Sequence, residues 1–476
     1  LDVSTSAIVT GLVGPLDYQE RKYTILPDST PSVAGGATAT AAGTPASDEF
    51  TVASYNLERF YNTVDDPGGD TILTAAAYNA RLDKASLGIR NYLHTPDIVG
   101  VVEVENLSTL QDLAVRINAD AVADSQPNPQ YVAYLVEGND PGGIDVGFLV
   151  KSAPVAGSTP RVQVVEVQQE LDGTLFVNPN STTENLHDRP PLRLNAVVHF
   201  ANGASFPVTV IANHLLALTN ASSIAPGGNG WTTVGARARA KRQQQAEDIA
   251  NLVQTRQTAN PNERIMLLGD FNSFEFNDGL ADVTGIISGT PSADSETVVP
   301  GDGVDLVNPD LDNLLDARPP LEKYSFVFGG NAQSLDHIFV NQALVAEAVA
   351  VRLEHARINA DFPQTARNSN GVERLSDHDP LIAYIEVSAP VLVPVAQPDS
   401  YETDEDTTLN VPAPGVLGND TNAGGLNATL VTGPANAAAF TLNPNGSFSY
   451  TPAANFSGEN TFTYKITGGQ IDSNTA

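Results

Sequence analysis

The feature that most limits what this chain can fold into is a series of short apolar runs, each bounded by a polar side chain of the same few types. Between residues 49 and 388 the runs are "FTVASYNL", "DIVGVVEV", "YVAYLVE", "VGFLV", "RLNAVVHF", "FPVTVIANHL", "RIMLLGDF", "LDHIFV" and "LIAYIEV". Their β-branched and aromatic content predicts buried strands. Helical patterns lie between some of them: "AAAYNARLDKASLGIRNYL", "LSTLQDLAVRINADA" and "GARARAKRQQQAEDIANLVQT". Many strands with interspersed helices predict an α/β layered domain, its helices covering sheets on their outer faces.

The polar boundaries carry the chemistry. Asn56 follows "TVASY", Glu103 closes "DIVGVVE", Asp145 precedes "VGFLV", and Asn213 and His214 close "VTVIA". Asp270 and Asn272 follow "RIMLLG", Asp336 and His337 precede "IFV", and Asp377 and His378 precede "LIAYIEV". Strand ends in layered α/β folds converge on one rim, where binding sites sit. Burying Asp377, His378 and Asp379 at the head of an apolar strand costs several kcal/mol unless they are paired or hold a metal. Carboxylate and amide oxygens suit a hard cation such as Mg²⁺ or Mn²⁺ better than zinc. A histidine beside an aspartate supplies a proton carrier or a charged donor to a phosphate oxyanion. Together these groups are what metal-assisted hydrolysis of a phosphate ester needs. Glu105 competes with Glu103, but strand alternation puts it on the same face and farther out, which favours Glu103. His337 should point away from its neighbour Asp336 and be structural. His94, His187, His199 and His355 lack such company.

Composition narrows the partners. The chain has 476 residues, with 56 Asp+Glu against 24 Lys+Arg and a formal net charge of −32. Such a surface excludes a broad basic DNA-binding face. Repulsion fades in salty medium, where the Debye length falls to about 3 Å at 1 M, and the acidic excess fits a salt-adapted source. The cations cluster in "ARARAKR" (Arg237, Arg239, Lys241, Arg242), which reads as a solvated helix face or as a local phosphate-contacting patch. With no cysteine, disulfides, thiolate metal sites and cysteine nucleophiles are ruled out. No stretch approaches the ~20 apolar residues of a membrane span, and nothing in the sequence points to a protein partner.

Outside 48–388 the texture changes. Residues 1–26 read as the remnant of an N-terminal β module, 27–47 as a Pro/Gly/Ala/Ser/Thr linker, and 389–398 as a proline-stiffened linker. Residues 399–476 read as a small all-β module with strands "FTLN", "GSFSYTP" and "NTFTYKIT". The start at Leu1 and the stop soon after the last strand read as a chain trimmed at both ends.

The segments "SYNLERF", "DIVGVVEVEN", "DRPPLR", "IANHLLAL", "LLGDFNSF", "SLDHIFV" and "LSDHDPL" resemble, in order, the endonuclease/exonuclease/phosphatase superfamily over roughly residues 50–388. The resemblance implies a DNase I-like, four-layer α/β/β/α sandwich. It implies that Asn56 and Glu103 sit at the metal, Glu103 as main ligand, with Asp377 close by. Asp270 and Asn272 would position and activate water, and His378, oriented by Asp336, would bind the scissile phosphate or act as general acid or base. His214 would face the leaving-group oxygen, and Arg189 would contact substrate phosphate. Val102 stands where the family usually has Gln, and the residue that orients His214 is not evident; Asp145 is a candidate. Residues 399–476, through "GVLGND" and "YTPAANFSGENTFTY", resemble the cadherin-like, tandem Ig-like repeats of bacterial exported proteins. This resemblance implies export or cell-surface attachment, with aspartates that could take Ca²⁺ or be solvated surface acids. The expected function is a secreted bacterial endonuclease hydrolysing DNA or RNA without sequence choice. The alternatives are a phospholipid or sugar-phosphate phosphoesterase on the same fold, or an adhesion or scaffold protein with an inactive domain.

Overall fold

The computed structural model describes residues 3–19, 22–66, 71–301, 303–388, 393–469 and 471–476. Residues 1, 2, 20 and 21 of the expected N-terminal module and 389–392 of the expected second linker lie outside the described residues. The chain divides into two units, Leu1–Ser388 and Ala389–Ala476.

In the first unit, twelve strands form two six-stranded sheets. In chain order they are β1 Glu49–Phe60, β2 Ile98–Val104, β3 Tyr131–Leu135, β4 Asp145–Lys151, β5 Val162–Gln169 and β6 Leu192–His199. They continue with β7 Ser205–His214, β8 Ile265–Asp270, β9 Leu311–Asn313, β10 Asp336–Asn341, β11 Ala350–His355 and β12 Leu381–Glu386. Sheet one has the order β11-β12-β1-β2-β4-β3 and sheet two β5-β6-β7-β8-β10-β9. Each sheet has one parallel pair near its middle, β1 with β2 and β7 with β8.

The apolar runs are long because these strands are buried on both faces. In β12, Leu381, Ala383 and Ile385 enter the core between the sheets, while Ile382 and Tyr384 enter the outer layer. In β8, Met266 and Leu268 face inward and Ile265 and Leu267 outward. Helices cover the outer faces. Helix α1 (Ala75–Leu87) and α2 (Leu107–Ala123) pack on sheet one, α2 through Leu110, Leu113, Ala114 and Ile117, the spacing of one helical face. Helix α3 (Val234–Ala259) packs on sheet two through Ala246, Ile249, Ala250 and Val253, joined by α4 (Val283–Ser288). Asn106 and Thr233 cap α2 and α3 by accepting from Thr109 N–H and Ala236 N–H. The result is the four-layer α/β/β/α sandwich.

Part of the stretch expected as a linker is built into this unit. Ser32–Gly35 pairs antiparallel with Ala7–Thr10, Thr40 bridges Arg357, and Ala42 is buried. Pro/Gly/Ala-rich composition hides this, because the contacts are made by backbone and small side chains. The second unit is all-β, with a three-stranded sheet, a two-stranded ladder and a core of Ala396, Val416, Ala428, Phe448, Tyr464 and Ile466.

The sheets approach closely at Gly100 of β2, where an added Cβ would lie 2.2 Å from Leu268 Cδ1 of β8. Leu268 is itself fully buried, so room for the added atoms has to come from moving a core side chain. Gly100→Val should therefore lower unfolding free energy by about 1–3 kcal/mol through overpacking, read as a lower denaturant midpoint at unchanged slope.

Candidate functional site

The two parallel pairs set the geometry. Parallel register brings the ends of β1 and β2 to one rim, and pairs His214 with Asp270 at the ends of β7 and β8. Antiparallel pairing then sets the start of β10, Asp336, opposite Asp270. The start of β12, Leu381, lies opposite Ser54 of β1, which brings the preceding "SDHDP" to the same rim.

Local backbone departures aim the side chains. The β1–β2 register shifts between Asn56 and Phe60, and the β2–β4 register shifts between Val102 and Val104. Glu58, Arg59, Glu103 and Asn272 all have left-handed φ, +48°, +51°, +62° and +49°. Bulges beside sites re-aim side chains in this way. At the bulge Glu103 leaves the strand alternation, so it does not share a face with Glu105 as alternation predicted. Glu105 instead accepts from Asn62 N–H and Thr109 Oγ1, tying the strand end to α2.

Asn56 Nδ2 donates to Glu103 Oε1 and Asp270 Oδ2, both at 3.1 Å, and so joins the two sheets. Its oxygen accepts from Glu58 N–H at 2.8 Å. Asn56 therefore bridges, as a donor, the two carboxylates between which an ion would sit. Glu103 Oε2 accepts from Arg59 N–H at 2.9 Å. His214 Nε2 stands 3.9 Å from both Glu103 Oε1 and Asp270 Oδ2. Burial holds its pKa well below the ordinary value, assisted by Arg189 and His378, so the ring is neutral. Asp270 accepts from Asn272 N–H at 2.8 Å. Burial foremost pushes its carboxyl up to about 7; His378 opposes the rise, and Asp336 and Glu103 add to it.

His378 Nδ1 donates to Asp336 Oδ2 at 2.6 Å, leaving Nε2 3.8 Å from Asp270 Oδ2. Burial alone would lower this imidazole, but the Asp336 and Asp270 carboxylates outweigh it and hold the ring well above its usual range, protonated. The three polar residues ahead of β12 have separate fates. His378 enters the cluster. Asp379, 1% exposed, anchors the backbone N–H groups of Ile358, Asn359 and Ala360. Asp377 lies at the edge, 29% exposed, its Oδ1 3.9 Å from His378 Nε2, and its carboxylate is outside the ligand clusters the structure brings together.

Those clusters are Glu103 with His214 and Asp270, and Asp270 with Asp336 and His378, their ligand atoms within 4.8 Å of one another. The donor set fits a divalent cation. Two carboxylates face each other at the rim, and the buried one is raised by burial foremost, with Asp336 and Glu103 adding to it. Glu103 and Asp270 would hold the ion, leaving remaining positions for water and phosphate oxygens.

Other expected residues make bonds within the protein. Arg189 donates to His214 O, Leu215 O and Asp140 Oδ2, at 3.3, 3.0 and 2.8 Å, clamping the Asp140 loop to the end of β7. Asp145 accepts from Gly138 N–H at 2.7 Å and makes no bond to His214, whose Nδ1 is buried without a partner among the described residues. Asn272 Nδ2 is engaged by Leu215 O. The basic start of α3 is engaged by the protein itself, with Lys241 and Arg242 buried and Arg237 and Arg239 half-buried. Lys241, 2% exposed, pairs with Asp188, Arg239 donates to Ala221 O, and Arg237 pairs with Glu184. Arg242 reaches Leu216 O and Asn272 O. His337 is structural, bonded to Ser273 O and Asn313.

Two supports carry no sequence signal of their own. Ser325 Oγ donates to Asp336 Oδ2 at 2.6 Å, and Asn359 Nδ2 donates to His378 O at 2.7 Å. Both lie in loops without strand or helix periodicity.

A model described as the Endonuclease/Exonuclease/phosphatase family matches residues 53–378, and one described as a bacterial cadherin-like domain matches 392–476. Among curated proteins, the small ribosomal subunit protein uS2 of Shewanella pealeana is 28% identical over 95 residues, 20% of this chain and 39% of that protein. The uS2 protein of Shewanella sediminis is 30% identical over the same shares. The chain thus spans well under half the length of these curated relatives. Among solved structures, truncated Caenorhabditis elegans TDP2 is 15% identical, covering 71% of this chain and 98% of that one, with a TM-score of 0.40. The endonuclease/exonuclease/phosphatase from Bacteroides vulgatus is 14% identical, with 71% and 99% coverage and a TM-score of 0.41. The human Nocturnin catalytic domain with bound sulfate is 16% identical, with 72% and 95% coverage and a TM-score of 0.39.

Burial, with the nearby acids Glu137 and Asp140, raises Asp145 from 3.8 to about 7. An acid raised on folding is held neutral, so its stabilising effect is full below pH 3.8 and lost as pH rises through about 7. The melting temperature of Asp145→Asn relative to the parent should therefore climb across that window. A difference that stays flat with pH would contradict the assignment.

Proposed function

Since the chain belongs to the endonuclease/exonuclease/phosphatase family of phosphoester hydrolases, we propose that it is a divalent-metal-dependent phosphodiesterase that cuts nucleic acid, DNA foremost, without sequence choice. The observation that carries this reading is the His378–Asp336 bond of 2.6 Å, with the free Nε2 aimed at the Asp270 carboxylate beside Glu103. A phosphoryl group seated there meets a protonated imidazole on one side and a neutral one, His214, on the other.

His378, pinned through Nδ1, donates from Nε2 to a non-bridging phosphoryl oxygen and offsets charge as the transition state forms. Asp336 holds the ring's orientation, and Ser325 holds Asp336. Asp270, fixed through the Asn272 N–H, orients the attacking water and takes its proton. Neutral His214 contacts the leaving-group oxygen. Asn56 and the Arg59 N–H fix the Glu103 carboxylate. A Mg²⁺ or Mn²⁺ ion held by Glu103 and Asp270 would supply Lewis-acid polarisation of the phosphoryl oxygen.

The bacterial cadherin-like domain supports placement outside the cell or on its surface. A second reading, a phospholipid or sugar-phosphate phosphoesterase, is favoured by one observation. The cations expected to meet a polyanion are turned inward.

Supercoiled plasmid incubated with Mg²⁺ or Mn²⁺ should be nicked, and EDTA should abolish nicking. Asp336→Asn should slow it by about 10²–10⁴-fold, the usual range for a general acid–base group, and His378→Ala at least as much. Intact plasmid alongside hydrolysed phospholipid or sugar phosphate would install the second reading. No hydrolysis of any of these would leave a scaffold protein.

A further inference from the structure

Proteins that hold nucleic acid usually do so by neutralising phosphates with lysine and arginine, and their binding weakens steeply with salt. This chain has 24 such residues and a net charge of −32. Nearly all of the described ones are engaged by the protein itself. Arg81 holds Leu57 O and Glu58 O, Lys84 holds Glu373 O, and Arg374 holds Asn359 O. Arg357 pairs with Asp379 and Arg367 with Glu58. Among the described side chains, Arg59 is the one arginine or lysine without a hydrogen bond or ion pair. It is exposed, and its own backbone N–H binds Glu103. The free cation therefore stands at the rim of the site.

At the other end of the cluster is a short aromatic ladder. The hairpin Phe326–Phe328 with Asn331–Gln333 turns through Gly329 and Gly330, at φ +57° and +84°, the two-residue turn that requires glycine-like backbone. Phe326 bridges His378 through its backbone, and its ring centroid lies 4.8 Å from the imidazole. Phe328 lies nearly parallel to Phe326, 11° off at 6.4 Å, and is 67% exposed. A continuous run of rings thus leads from the His378 imidazole to solvent. Strand alternation turns Val327 away from this face.

We infer that the site takes an unpaired nucleic-acid strand, with a base stacked on Phe328 beside the scissile phosphate and a flanking phosphate on Arg59. This rests on the nucleic-acid reading of the same site and specifies its substrate class. Bases in a duplex are stacked on each other and cannot offer their faces to Phe328; bases in a single strand can. Stacking is indifferent to the protein's negative charge and to sequence. With so few phosphate contacts, the dependence of binding on salt is shallow.

The test is fluorescence anisotropy with the full chain in EDTA, using a ten-residue oligothymidylate, an abasic chain of equal length, and a duplex. The oligothymidylate should bind better than either alternative. Phe328→Ala should weaken it about tenfold, the low end for loss of one stacked base, and abolish the preference over the abasic chain, while Phe328→Trp restores both. The slope of log affinity against log salt should be shallow, and its magnitude should fall by about 0.7, one single-strand contact, in Arg59→Ala. Unchanged affinity in Phe328→Ala, stronger binding of duplex, or a slope of several units would overturn the inference. Oligothymidylate bound through Phe328 but never cleaved with metal present would instead defeat the hydrolase reading alone. Cleavage with a KM unmoved by Phe328→Ala would defeat the platform alone.

Discussion

Three carboxylates, Glu103, Asp270 and Asp336, share one rim with two imidazoles, and Asp270 and Asp336 are almost without exposure. Two like charges 4 Å apart repel by about 4 kcal/mol at an effective dielectric of 20, so such a group assembles only where donors meet every acid. Asn56 supplies an amide to two of them, Arg59 and Asn272 each supply a backbone N–H, Ser325 a hydroxyl and His378 a charged N–H. The bulges in β1 and β2 bring the Arg59 N–H and the Glu103 carboxylate within reach of each other. What remains unbalanced at Asp270 is what would suit the cluster to a divalent cation and sets the protonated His378 beside it.

The architecture and the membership of the rim were legible because both follow from periodicity. Apolar runs mark strands buried on two faces, and the residues at their ends have few places to go once parallel and antiparallel register is set. Side-chain direction was less legible. Glu103 and Glu105 share parity in an ideal strand, and a left-handed residue in the middle breaks that parity without a glycine to announce it. "ARARAKR" has the composition of a surface patch, yet Lys241 and Arg242 are among the most buried side chains, because their partners are loop acids and carbonyls far away in sequence. Arg189 likewise has its internal partners, Asp140 and the His214 and Leu215 carbonyls, far away in sequence. Ser325 and Asn359 left no trace, since a loop serine or asparagine is ordinary until the aspartate or histidine it touches is known.

On the proposed reading, the inward turn of the cations bears on how an acidic protein would meet an anionic substrate. Arginine used as internal clamp stabilises loops but contributes little to the outer field. An ion in the cluster, a protonated imidazole, the one guanidinium left free among the described side chains and a set of aromatic faces would then share the task. The first two act over short range, which suits a protein whose long-range potential is repulsive.

Each sheet contributes only half of the polar set, Asn56 and Glu103 from one and His214, Asp270 and Asp336 from the other, and the Asn56–Asp270 bond crosses between them. The reactive centre is therefore a seam. One residue of slip along a strand is about 3.3 Å, enough to part the halves while leaving both sheets intact. Alignment of the halves is fixed deep between the sheets by contacts such as Gly100 against Leu268, so a lesion there could silence the molecule while its secondary structure stayed whole.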